Sequence, residues 1–195
     1  PYVAEHLMQR YMPKINIATV SGRYWAMDRD NNWDRVEKYF QCVTQGIGER
    51  AETAAQAIIQ GYVYAKAGKN STGDSDEFIM PTLVDASGLI RDNDSVIFFN
   101  FRPDRAKEIS KRLGGDSGLK KLHYACFTEY SNELKLAVAF TNSTLPKQDY
   151  SMNLGELVSS LGFNQFRIAE TEKYNHVTNF FNSSRKEPYP LEDRL

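Results

Sequence analysis

Apolar residues recur at helical spacing in several parts of the chain, which predicts amphipathic helices. Val3, Leu7 and Tyr11 lie four residues apart and predict a short helix that ends before Pro13. The other predicted helices run from Trp33 to Val43, with Asn31 or Asn32 at the start and Gly46 at the end, from Ala51 to Tyr62, from Ala106 to Leu113 and from Leu154 to Leu161.

Runs of β-branched and aromatic residues predict strands between these helices. Ile15–Ser21 is one such run, and the nearly continuous apolar run Ser95–Phe101 is typical of a central strand covered on both faces. Leu122–Thr128 and Leu134–Phe140 are separated by a short polar turn and predict a β-hairpin. The remaining predicted strands are Phe166–Glu170 and His176–Phe181.

The alternation of helices and strands predicts an α/β fold. We expect a mostly parallel or mixed central sheet with helices on both faces, plus the β-hairpin. The 195 residues are enough for one sizeable domain with a hydrophobic core. The Pro-rich, charged tail at residues 183–195 has the composition of a linker that leaves the domain.

Composition narrows the classes of protein that fit. No run of about 18 apolar residues occurs, so the sequence predicts no membrane span. The net charge is −1 with no basic stripe, which argues against a nucleic-acid partner. The only cysteines, Cys42 and Cys126, are interpreted as small packing residues in a reducing cytoplasm.

Three short patterns suggest chemistry that their context does not support. Gly46–Ala51 matches a dinucleotide-binding pattern in letters, but it follows a helix and not a strand. Asp28–Asn32 resembles the start of a calcium loop, but Trp33 stands where that loop needs glycine. The histidines His6, His123 and His176 lack ligand spacing with other metal-binding residue types, so the sequence predicts no metal site in this chain.

Five basic residues follow predicted strands. They are Arg23 and Arg29 after Ser21, Arg102 and Arg105 after Phe101, and Lys173 after Glu170. Ligands of open α/β sheets bind beyond the carboxyl ends of strands, so parallel neighbouring strands would gather these cations in one crevice. The alternative is that the arginines form structural ion pairs with Asp28, Asp30 or Asp104.

Arg102 and Arg105 form the most specific pair. Pro103 suits the first turn of a helix, and residues spaced by three share a helix face. Two planar guanidinium groups at a helix N-terminus would suit a phosphate or carboxylate. We therefore expect this pair to bind an anion.

The motifs around these cations resemble a known family. SGRYWAMDRDNNWDRVEK, DEFIMPTLV, DSVIFFNFRPDRA and IAETEKYNHVTNFFN are similar to segments of the 2,3-bisphosphoglycerate-independent phosphoglycerate mutases, in the same order. The resemblance runs from about Ile15 to the end of the chain. Trp25 stands where the family usually has tyrosine, and Ser183-Ser184 replaces a Gly-Gly pair.

The resemblance implies part of a two-domain glycolytic enzyme that interconverts 3-phosphoglycerate and 2-phosphoglycerate through a phosphoserine. Residues 1–182 would be a partial substrate-binding (transferase) domain, and residues 183–195 would lead to a phosphatase-like domain. By resemblance Arg23, Arg29, Arg102, Arg105 and Lys173 bind substrate. The serine nucleophile and the ligands of two manganese ions belong to motifs that this sequence does not show.

These implications lead to further expectations. The missing initiator Met indicates an excised piece, which we expect to be inactive alone and to bind no cofactor. The intact enzyme is expected to be a cytoplasmic monomer. The alternative is a stand-alone phosphate- or carboxylate-binding module without catalysis. A phosphopentomutase-like cap domain is disfavoured, because its motifs would not combine GRYWAMDR with FRPDR.

Overall fold

The computed structural model describes residues 15–68, 73, 75–141 and 151–195. The predicted helix at Val3–Tyr11 and His6 lie outside these residues. The chain divides into two compact units, residues 1–145 and 146–195, each of which is considered by itself below. This division does not coincide with the expected boundary after residue 182. It does not test whether residues 183–195 form a linker, and that assignment stays a prediction.

The first unit begins with a small mixed sheet. Its strands are β1 (Thr19–Val20), β2 (Glu49–Arg50) and β3 (Thr82–Leu83). β3 is central, antiparallel to β1 and parallel to β2. The helices of this part of the chain are α1 (Arg23–Ala26), α2 (Trp33–Gln45) and α3 (Ala54–Lys66), with short 3-10 turns at Asp76–Phe78 and Ala86–Gly88.

The bounds of α2 and α3 follow from local signals. α2 begins after Asn32 and ends at Gly46, which has a left-handed φ of 70° that favours glycine. The Gly46 amide donates to the carbonyl of Cys42 and closes the last turn. α3 is capped by Thr53, whose hydroxyl accepts the Gln56 amide at 3.1 Å. Both predicted helices are confirmed.

A second sheet carries the main core of the first unit. It comprises β4 (Ser95–Phe98), β5 (His123–Thr128) and β6 (Ala137–Phe140), in that order. Helix α4 (Lys107–Ser110) continues into a π-helical turn at Lys111–Gly115. All three strands are parallel. The predicted β-hairpin is therefore wrong, because residues 129–136 return the chain to the start of the sheet before β6 begins.

One face of this sheet is buried. Alternation points Val96, Phe98, Tyr124, Cys126 and Val138 to the same side, where they pack with helices α2 and α4. The buried helical residues of this core are Val36, Phe40, Ala106, Ile109 and Leu113. The α/β class is confirmed, and we call this side of the sheet the covered face.

The opposite side of β4 is open to solvent. Ile97 pairs with Ala125, and Ala125 pairs with Ala137, so these three residues share what we call the open face. Ile97 is 72% exposed, and Phe99 and Phe101 just beyond the strand are 78% and 75% exposed. The predicted central strand covered on both faces is therefore wrong for β4, which is an edge strand of this sheet and has one exposed face.

The described part of the second unit, residues 151–195, contains one α-helix and a two-stranded parallel sheet. Helix α5 (Leu154–Ser160) is capped by Asn153, which accepts the Glu156 amide at 3.1 Å. β7 (Gln165–Arg167) pairs with β8 (Glu192–Arg194), so part of the segment 183–195 belongs to a sheet. The predicted strand at His176–Phe181 is wrong, because His176–Phe180 forms a π-helical turn.

Candidate functional site

The loop between α1 and α2 carries Arg29 and is organised by the buried side chain of Asp28. One carboxylate oxygen of Asp28 accepts the amides of Asp30 at 3.0 Å and Asn32 at 2.8 Å. The other accepts the side chains of Asn32 at 3.0 Å and Arg35 at 3.3 Å. These bonds satisfy donors at the start of α2 and fix the course of residues 27–32, which we call the arginine loop.

Asp28 is 5% exposed. Burial alone would raise the pKa of this carboxyl group, but the hydrogen bonds from Asn32 and Asp30 hold the pKa below its ordinary value. The group is therefore ionised at neutral pH. A buried carboxylate is tolerated here because both of its oxygens accept hydrogen bonds.

Glu108 of α4 contacts the same loop from the other side. Its Oε1 accepts the amide of Asn31 at 3.0 Å, at a residue with a left-handed φ of 62°. Glu108 is 6% exposed, and burial raises the pKa of its carboxyl group. Interaction with Asp28 and Asp30 raises the pKa further, since a second negative charge is unfavourable beside them.

Arg102 and Arg105 precede α4 and do not lie within its first turn. The helix begins at Lys107, after a turn in which the Pro103 carbonyl accepts the amides of Ala106 and Lys107, both at 3.1 Å. The prediction that both guanidinium groups lie on a helical turn is therefore wrong. Arg102 instead binds Asp104 through two bonds of 2.9 and 3.0 Å.

The structure brings four of the predicted cations together in the first unit. Nη1 of Arg105 donates to the Met27 carbonyl of the arginine loop at 3.1 Å. Arg29 and Asp104 form an ion pair at 3.6 Å, and Asp104 also binds Arg102. Arg23 pairs with Glu77 at 2.8 Å. We call Arg23, Arg29, Arg102 and Arg105 the arginine cluster.

The electrostatics of Arg105 reflect this crowding. Burial lowers the pKa of its guanidinium group, and the positive charges of Arg23 and Arg29 lower it further. Asp104 and Glu77 act in the opposite direction. An arginine stays protonated under such shifts, so the cluster is a region of concentrated positive charge that an anion would relieve.

The arrangement of strands that was expected to gather these cations is wrong. β1 and β4 belong to different sheets, so Arg23 and Arg29 do not reach Arg102 and Arg105 along one sheet edge. The arginine loop instead packs against the segment before α4 through Arg105 and Glu108. Lys173 belongs to the second unit, where its nearest ion pair is with Glu170 at 4.0 Å.

A cavity of about 480 Å³ opens beside the cluster. Arg29 and Asp104 line it together with Lys107, Glu108 and Lys111. Three cations, Arg29, Lys107 and Lys111, therefore face this space together with the carboxyl groups of Asp104, Glu108 and Glu133. Its size is within the range of sites for small polar molecules.

Sequence reasoning missed the role of Glu108 and treated Asp28 only as an ion-pair candidate. The pattern Asp-x-x-x-Asn just before the first apolar residue of α2 could have identified Asp28 as a side chain that binds the loop amides. No comparable signal marks Glu108, because its partner Asn31 lies 77 positions away in the sequence.

Comparison with known proteins shows which family the chain belongs to. Residues 3–132 match the family model described as the N-terminus of BPG-independent PGAM. The chain belongs to this family. This region contains the whole arginine cluster, whereas the second unit lies beyond the matched residues.

Relatives with the name 2,3-bisphosphoglycerate-independent phosphoglycerate mutase extend the match. The enzyme of Clostridium perfringens (strain SM101) is 44% identical over 91% of this chain. Those of Clostridium beijerinckii and Syntrophotalea carbinolica are 47% and 44% identical over 91% and 92% of it. In each case the match covers 34% of the relative, so the chain spans about a third of their length.

A crystal structure of Leishmania mexicana phosphoglycerate mutase at low cobalt concentration has a similar fold. The TM-score is 0.57 at 23% identity, over 92% of this chain and 34% of that one. This likeness supports the α/β fold class.

Metal-binding clusters and membrane-spanning helices are both absent from the described part of the chain. Across residues 15–68, 73, 75–141 and 151–195, no group of three or more His, Cys, Asp or Glu side chains could hold a metal ion. Within the same residues, no helix is both long and apolar enough to cross a membrane.

Proposed function

We propose that this chain is the substrate-binding part of a phosphoglycerate mutase that interconverts 3-phosphoglycerate and 2-phosphoglycerate. The observation that carries the proposal is the arginine cluster of the first unit. Both phosphoglycerates bear a phosphate and a carboxylate, which planar guanidinium groups bind with paired hydrogen bonds. Membership of the family supports the same assignment.

The carboxylates that pair with the arginine cluster in this structure can be replaced by a bound anion. The Arg23–Glu77 and Arg102–Asp104 pairs are formed by partly exposed side chains, with 48% and 54% exposure on the arginines. Ion pairs of this kind contribute only about 0–1 kcal/mol each. A phosphate that carries more charge than one carboxylate can therefore displace Glu77 or Asp104 at little cost.

We assign the remaining steps of the reaction to other parts of the longer enzyme. A phosphoserine intermediate and two manganese ions are expected there, as the resemblance implies. Lys173 would act as a mobile point charge near the phosphoryl group. The isolated chain is accordingly expected to be inactive, and the intact enzyme to be a cytoplasmic monomer.

The second candidate is a stand-alone module that binds phosphate or carboxylate without catalysis. The observation that favours it is the cluster itself, which needs only an anion. It predicts comparable affinity for inorganic phosphate and for phosphoglycerate. A substrate-binding part predicts tighter binding of 3-phosphoglycerate, because two anionic groups would engage the cluster at once.

The test is calorimetric titration of the chain with 3-phosphoglycerate and with inorganic phosphate. Arg105→Ala should weaken 3-phosphoglycerate binding by about tenfold or more, since it removes a charged contact. Arg50→Ala is the matched control, because it removes an equal charge from β2 of the other sheet. Absence of binding by the unaltered chain, or an equal loss in both variants, would contradict the proposal.

A further inference from the structure

Glu108 occupies an unusual position in the first unit. Its carboxyl group is buried and contacts the arginine loop from α4. Most buried side-chain polar atoms have at least one hydrogen-bond partner. Oε1 accepts the Asn31 amide. Oε2 has no hydrogen-bond partner among the described residues. A buried polar atom without a partner costs free energy, so its retention here calls for an explanation.

The neighbouring carboxylate of Asp28 explains why the unpartnered Oε2 of Glu108 is tolerated. Asp28 is already held in the ionised state by the hydrogen bonds that it accepts, and it interacts directly with Glu108. Two carboxyl groups in contact hold one proton between them more readily than two negative charges. A proton on Glu108 would give Oε2 a partner in Asp28 while Oε1 continues to accept the Asn31 amide.

Both contacts of Glu108 act on the arginine loop. Asn31 and Asp28 flank Arg29, and the carbonyl of Met27 in the same loop accepts Arg105. The loop turns at Asn31 through a left-handed conformation, which is uncommon for non-glycine residues although asparagine adopts it more often than most. Such a conformation persists when the surroundings hold it, and the bond from Asn31 to Glu108 is one such restraint.

We propose that Glu108 is a positioning residue that braces the arginine loop and thereby keeps Arg29 and Arg105 directed at a shared anion. This inference deepens the proposed function and rests on it for the identity of the anion. This role does not require contact between Glu108 and the anion. It acts by holding the backbone on both sides of Arg29.

Two variants of Glu108 separate the brace from other roles. Glu108→Gln keeps an acceptor for the Asn31 amide and adds a donor toward Asp28, so it reproduces the protonated acid. Glu108→Ala removes both contacts. A role based on the negative charge of Glu108 would be lost in both variants, whereas the brace is lost only in Glu108→Ala.

The experiment has two readouts on the full chain. Hydrogen exchange at the Asn31 amide, followed by NMR, reports the brace without any ligand. Calorimetric titration with 3-phosphoglycerate reports its consequence. We expect Glu108→Ala to accelerate exchange at Asn31 and to weaken binding by about tenfold, as for loss of one buried hydrogen bond. Glu108→Gln should stay within about twofold of the unaltered chain in both readouts.

The outcomes distinguish failure of the brace from failure of the proposed function. Unchanged exchange at Asn31 in Glu108→Ala, or equal loss of binding in Glu108→Gln, overturns the brace. Accelerated exchange in Glu108→Ala with no 3-phosphoglycerate binding by the unaltered chain supports the brace and contradicts the proposed function. If Glu108→Ala does not fold, Glu108→Asp withdraws the carboxyl group by one methylene, and the same exchange measurement decides.

Discussion

The two faces of the β4–β5–β6 sheet have similar apolar sequences and opposite environments. On the covered face, Phe98 and Tyr124 pack against helices α2 and α4. On the open face, Ile97 is 72% exposed although it lies between two covered residues in the same strand. An apolar residue contributes to stability only where another element removes it from water, so the two faces should respond differently to the same substitution.

The difference also shows how the arginine cluster is supported. Helix α4 presents Ile109 to the covered face and Glu108 to the arginine loop. The segment that carries Arg102 and Arg105 leads directly into this helix. The core on the covered face therefore supports the candidate site through α4. The open face has no such connection to the site through this helix.

The largest expected effect is that of Ile109→Ala. Ile109 is 2% exposed and belongs to the core of the covered face. Its truncation should lower the free energy of unfolding by about 2–5 kcal/mol, because it removes buried methyl groups and leaves a cavity. Denaturant unfolding of the chain measures this. A loss below about 1 kcal/mol would show that the covered face is not tightly packed.

A smaller loss is expected for Tyr124→Phe on the same face. The Tyr124 hydroxyl lies 3.0 Å from the Ser110 hydroxyl, and both are buried. Removing the Tyr124 hydroxyl leaves the buried Ser110 hydroxyl without this hydrogen-bond partner, which should lower the free energy of unfolding by about 1–3 kcal/mol. The double variant Ser110→Ala/Tyr124→Phe is the control, since it removes both groups. It should be more stable than the single variant, and an equal or greater loss would argue against the hydrogen bond.

The pH dependence of stability tests the buried carboxyl group of Glu108. Its folded-state pKa is raised above the ordinary value of 4.5 by burial and by Asp28 and Asp30. Its contribution to stability is therefore full below the unfolded-state pKa and is lost as the pH rises through the folded-state pKa. Glu108→Gln does not titrate, so its stability relative to the unaltered chain should increase as the pH rises above the unfolded-state pKa and through the folded-state pKa of Glu108.

Denaturant unfolding at several pH values measures that difference. Asp28, whose folded-state pKa is lowered, loses its contribution as the pH falls, and it does so in both proteins. Subtracting one curve from the other therefore reports the titration of Glu108 together with its coupling to Asp28. A difference that does not change with pH would mean that the carboxyl group titrates normally in the folded chain.

The smallest expected effect is that of Ile97→Ala on the open face. Most of this side chain is already in water, so its truncation should change the free energy of unfolding by no more than about 0.5 kcal/mol. The same unfolding measurement applies, with Ile109→Ala as the comparison. A loss as large as that of Ile109→Ala would show that the open face is covered in solution.

Much of the local structure of the chain could be predicted from its sequence. The start of α2 after Asn32, its end at Gly46 and the α5 helix closed by Gly162 all follow from neighbouring residues. These signals are local because a cap or a left-handed turn depends on a few adjacent residues. The same holds for the family motifs, which are continuous in sequence.

The pairing of strands required the tertiary structure. The short segment between β5 and β6 is typical of a hairpin, yet the strands are parallel. Likewise, the apolar run that contains Ile97 predicts burial on both faces, whereas the described residues cover only one of them. A hydrophobic pattern records which residues can be buried, but the elements that cover them come from distant parts of the chain.

The candidate site combines both kinds of information. The sequence by itself proposed Arg23, Arg29, Arg102 and Arg105 as site residues, because these cations follow predicted strands and stand in continuous motifs. Only the tertiary structure joined them, through Arg105 and the Met27 carbonyl, 78 positions apart. Contacts at such separations depend on how whole elements pack, and they leave no local pattern in the sequence. The contact between Glu108 and the Asn31 amide could therefore be found only in the tertiary structure.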